Sequence, residues 1–76
     1  MFVSNQIEHD RQRLEELRQL YEIKIKDLNY KEAREYIRSA LHELLMTDRW
    51  SHFDFAFNDM LEELLTKLEE THAESK

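Results

Sequence analysis

Apolar residues recur along the chain with a helical period, in three blocks separated by two short polar breaks. In the first block Ile7, Leu14, Tyr21 and Leu28 stand seven residues apart, and Leu17 and Ile25 fall near the second heptad position. This coiled-coil-like stripe predicts a helix over about 4–28, with Ser4 as its N-cap. The stripe is interrupted early, where Asp10 or Arg11 occupies a core position. Charges of alternating sign cover the other faces, and Glu22 with Lys26 makes an i,i+4 pair of favourable polarity.

The first break is Asn29-Tyr30-Lys31-Glu32, which has the spacing of a capping box. The Asn29 side chain can accept from the backbone three residues on, and Glu32 can reach back. A second helix is therefore expected over about 30–47, with a wide face of Ala33, Tyr36, Ile37, Ala40, Leu41, Leu44 and Leu45. That width suits packing against two neighbours. Neither Gly nor Pro forces the bend, so one unbroken helix over about 4–47 is the competing expectation.

At the second break, Ser51 and Asp54 repeat the box with Asp in place of Glu. Trp50 then precedes the cap and Phe55 falls at the fourth helical position, the spacing of a hydrophobic staple. A third helix is expected over about 52–71, with a stripe of Phe53, Phe57, Met60, Leu61, Leu64, Leu65 and Leu68. The polar tail His72–Lys76 is expected to fray. A short link makes helices two and three an antiparallel hairpin. The expected fold is an all-α, single-domain, small three-helix bundle, or a helical hairpin plus a long N-terminal helix. Dimerisation would complete its core.

Composition narrows the chemistry. The 76 residues include no Gly, Pro or Cys. Without Gly there is no phosphate-cradling loop, and without Cys there is neither a disulfide nor a thiolate metal site. A domain this small tends to need a supplement, which leaves self-association. No stretch approaches the ~20 apolar residues of a membrane span, and the N-terminal segment lacks signal-peptide character. A cytoplasmic setting is the expectation.

Charge separates the two halves. Residues 1–40 carry eight basic and eight acidic side chains, whereas 41–76 carry three and nine, so the whole net charge of −6 lies in the second half. Such a surface repels phosphate backbones and anionic headgroups, so direct nucleic-acid and membrane binding are not expected. The basic clusters Arg11-Gln12-Arg13 and Lys24-Ile25-Lys26 are each interrupted by acids within a turn.

Candidate sites follow from what remains. Trp50 and Phe55 belong to the densest aromatic cluster and suit a partner-binding anchor, although the staple explains part of their presence. Asp54, Asp59, Glu62 and Glu63 form an acidic flank beside them. Glu69-Glu70-Thr71-His72 holds a single Glu-x-x-His step, where a di-iron bundle uses two, so no metal or other cofactor is expected. Adjacent carboxylates such as Glu62 and Glu63 diverge on a helix, and no catalytic constellation emerges. The expected function is that of a small non-enzymatic regulatory or adaptor protein that binds another protein through a helical face. An acidic antagonist of a nucleic-acid-binding protein and a purely structural oligomerisation module are the alternatives.

Overall fold

The computed structural model describes the backbone of residues 2–75 and the side chains of residues 8–74. Three helices, α1 (Phe2–Lys26), α2 (Tyr30–Leu45) and α3 (His52–Ser75), pack against one another. The chain is all-α among the described residues, as its periodicity requires.

The bend after α1 is built by the Asn29 box. Asn29 Oδ1 accepts from the Glu32 N–H at 2.9 Å, and Glu32 Oε1 accepts from the Asn29 N–H at 3.4 Å. Two orphan donors are thereby satisfied without a glycine. The N–H of Leu28 donates to Ile25 O at 3.1 Å and tightens the last turn of α1. The unbroken 4–47 helix is thus excluded.

Several boundaries differ from the expectation. Helix α1 begins at Phe2, so Ser4 lies within it and is not its cap. No Pro or Gly stops the helix before Ser4, so it continues through. It ends at Lys26, and Leu28 falls in the bend, while the side chain of Ile7 lies outside the described residues. Helix α2 stops at Leu45, where Met46 caps it. The polar segment expected to fray is instead helical to Ser75, and Lys76 lies outside the described residues. A tertiary contact accounts for the difference. The His72 ring stacks on Tyr30, with centroids 3.7 Å apart and planes 7° from parallel. That contact pins the end of α3 to the start of α2.

Ile37, Leu44, Met60, Leu61 and Leu64 form the buried core, with Ala33 also fully covered. Leu14, Leu17, Tyr21 and Ile25 of α1 pack onto it, which is the expected stripe. The expected Glu22–Lys26 pair is not among the ion pairs of the described residues. Arg18 instead reaches Glu63 of α3 at 3.0 Å and Glu15 at 3.9 Å. The Arg13 guanidinium also lies over the Phe53 ring, 4.8 Å from its centre. Both contacts hold α1 on α3.

Tyr21 sits where the three helices meet. Its ring centre is 5.5 Å from Tyr36 and 5.9 Å from Phe57. Burial raises its pKa above the ordinary 10.0, and nearby Tyr36 and Glu43 add to the effect. A raised folded-state value means that the fold favours the neutral phenol. Its contribution is complete below the unfolded pKa and is lost as pH rises through the folded one. Denaturant midpoints at about pH 9 and pH 11 should therefore fall more for the natural chain than for Tyr21→Phe, which keeps the ring and lacks the proton. Equal falls would show that Tyr21 does not carry this sensitivity.

Candidate functional site

Four hydrogen bonds that involve side chains hold the corner between α2 and α3. The Ser51 N–H donates to Asp54 Oδ2 at 2.9 Å, and the Asp54 N–H donates to Ser51 Oγ at 3.3 Å. This is the second box, with Asp acting as predicted. Across the corner, Trp50 Nε1–H donates to the carbonyl of Leu44 at 2.8 Å. The Leu44 carbonyl, in the last turn of α2, lacks an intrahelical donor; it accepts the Thr47 N–H at 3.0 Å, and the indole adds a second donor. The Thr47 hydroxyl donates to Glu43 O at 3.1 Å.

Trp50 is half-buried and packs on the core. Its ring meets Phe55 edge to face, with centroids 5.0 Å apart at 72°. The staple is therefore formed, yet Phe55 remains 57% exposed. Leu45 at the end of α2 and Met46 just past it are each 72% exposed. Exposed Met46 and Phe55 thus stand on either side of the link that carries Trp50, whose indole is held by Leu44 O and by Phe55. Leu45 departs from the expected wide core face because it lies at the edge of that face, on the open groove between α2 and α3 and away from α1.

The acidic residues are placed less uniformly. Asp54 is half-buried and engaged in the cap. Glu63 holds Arg18 of α1. Glu62 accepts from Asn58 Nδ2 at 3.0 Å and lines a groove between α2 and α3. Asp59 is exposed. At ~100° per residue these four carboxylates spread over about half the circumference of α3. They do not form one row. Sequence periodicity did not single out Met46, whose position just past the last helical residue leaves it outside any core face.

Tyr21 has a raised pKa, which makes it a poorer proton donor than a free phenol. Among the described residues, no group of three or more His, Asp and Glu side chains is placed to hold a metal ion. His72 of the Glu-x-x-His step is engaged by Tyr30, and His9 lies 4.0 Å from Asp10 on the surface. Among the described residues, no helix is long and apolar enough to cross a membrane. No family model, curated protein or solved structure matches the chain.

Proposed function

We propose that this chain is a non-enzymatic regulatory or adaptor protein that binds a partner protein at the α2–α3 corner. Phe55 carries the reading. Its ring is 57% exposed although it rests on Trp50, which is itself anchored to Leu44. An aromatic side chain held in one position loses little entropy on binding, and such residues dominate interface energetics. Met46 is exposed at the α2 end of the same link, while Asp48, Asp54 and Asp59 lie in the surrounding sequence. The partner surface this fits is an apolar recess with a basic rim. The proposed setting is the cytoplasm, where a chain without cysteine forgoes no disulfide. Pairing with a second copy of the chain is proposed alongside it, independently of the corner.

Capture from source lysate on the tagged full chain tests it. A protein retained by the natural chain should be lost with the double variant Met46→Ser/Phe55→Ser. It should be kept with Ile23→Ser, a change at an equally exposed apolar residue on α1. Equal recovery by all three chains would count against the corner as the docking surface. An affinity that collapses with salt would instead favour the acidic antagonist, in which Asp59, Glu62 and Glu63 act as a charged face.

A further inference from the structure

The α2–α3 hairpin has a second face, opposite α1. On α2, Arg34, Arg38, Leu41 and Leu45 are spaced by four, three and four residues, so they line one ridge. On α3, Asn58, Glu62, Leu65 and Glu69 repeat that spacing. Between the ridges runs an open groove of about 450 Å³, lined by Leu41, Leu45 and Leu65 with Arg38 and Glu62. No residue of α1 lines it.

On the α2 side the groove is lined by Arg38, with Arg34 one turn further along the ridge, and on the α3 side by Glu62, with Glu69 two turns further along. None of the ion pairs among the described residues uses Arg34, Arg38, Glu62 or Glu69. The Nε of Arg34 is buried without a hydrogen-bond partner. The molecule also carries more surface than its mass requires. Its accessible area is 6374 Å², against roughly 5,000 Å² for a compact monomer of this size.

We propose that a second copy of the chain covers this face, related by a two-fold axis parallel to the helices. That axis sets α2 of each chain against α3 of the other. The arginines, which hold no ion pair within the chain, then meet the partner's glutamates, with Leu41, Leu45 and Leu65 sealed between them. A two-fold axis across the helices would instead set α2 on α2 and bring like charges together. Two helices of about 24 Å presented side by side bury about 600–800 Å² per chain, a standard interface. The product is an antiparallel four-helix core with α1 on the outside. Both α2–α3 corners then lie at the same end, so the assembly presents two copies of the Phe55 surface side by side. This extends the docking reading above but rests on separate residues.

The test uses the full chain in solution. Its mass by sedimentation at up to about 100 µM should be twice 9.4 kDa. Arg34→Glu with Arg38→Glu should weaken pairing by about tenfold or more. Adding Glu62→Arg and Glu69→Arg to that chain should restore it, which an α2-on-α2 arrangement would not allow. A nitroxide on Asp48→Cys, at the corner, should report a distance below about 30 Å, whereas corners at opposite ends lie beyond ~35 Å. A single-chain mass for the natural protein overturns the proposal. So does a distance above ~35 Å, or failure of the four-residue exchange to restore pairing while helicity persists. Capture of a partner through Phe55 requires none of these outcomes, so the two readings fail separately.

Discussion

Ile37→Ala should lower stability by about 3–4 kcal/mol. Ile37 is fully buried at the centre of the core, against Leu44, Met60, Leu61 and Leu64. Truncation removes the transfer free energy of its side chain and leaves a cavity between helices that cannot fully close. A domain of this length has a total stability of roughly 4–11 kcal/mol, so the loss is a large share of it. At about 4–8 °C per kcal/mol, the melting temperature should fall by well over ten degrees. Thermal melting followed by circular dichroism measures this directly. Ile37→Val, which deletes one methylene, should cost about 1 kcal/mol. Similar falls for both variants would mean that packing at this site is not what holds the helices together.

Trp50→Ala should cost about 3 kcal/mol, although Trp50 is only half-buried. Three interactions disappear together: the ring's packing on the core, the hydrogen bond to Leu44 O and the edge contact with Phe55. Trp50→Phe separates them. It retains most of the packing and removes the donor, while the Leu44 carbonyl keeps the Thr47 N–H at 3.0 Å. Its cost should be near 1 kcal/mol, the net value of one hydrogen bond. A Trp50→Ala chain that melts with the natural protein would make the ring a surface feature. In that case Trp50 itself would be the better candidate for the docking anchor.

These expectations rest on features of unequal visibility in the sequence. Both capping boxes and the Trp50–Phe55 staple were legible because each depends on residues within a few positions of one another. The buried faces of α2 and α3 were legible from their period. The ends of the helices were not, because distant contacts set them. The Tyr30–His72 stack keeps α3 helical to Ser75, and no local pattern announces a contact between residues 42 positions apart. Electrostatics behaved in the same way. Glu22 and Lys26 have the right local spacing, yet Arg18 makes the ion pair, because α3 brings Glu63 to it.

The site was legible in part. Trp50 and Phe55 stood out by composition, and the structure divides their roles, with one ring anchored and the other presented. The four acidic candidates could be placed on α3 and Asp54 assigned to its cap, but only the assembled bundle shows Glu63 in a bridge to Arg18. The exposure of Leu45 and Met46 was hidden for a related reason. Periodicity gives the direction of a side chain but not whether a neighbouring helix reaches it.

The central claim is that the apolar surface at the corner serves binding rather than folding. The melting temperature of purified Met46→Ser/Phe55→Ser, beside that of Trp50→Ala, tests it most directly. The double variant gives up the staple contact and little else, so it should lose no more than about 1 kcal/mol, under half the loss of Trp50→Ala. A fall as large as that of Trp50→Ala would show that these side chains hold the fold and would contradict the account.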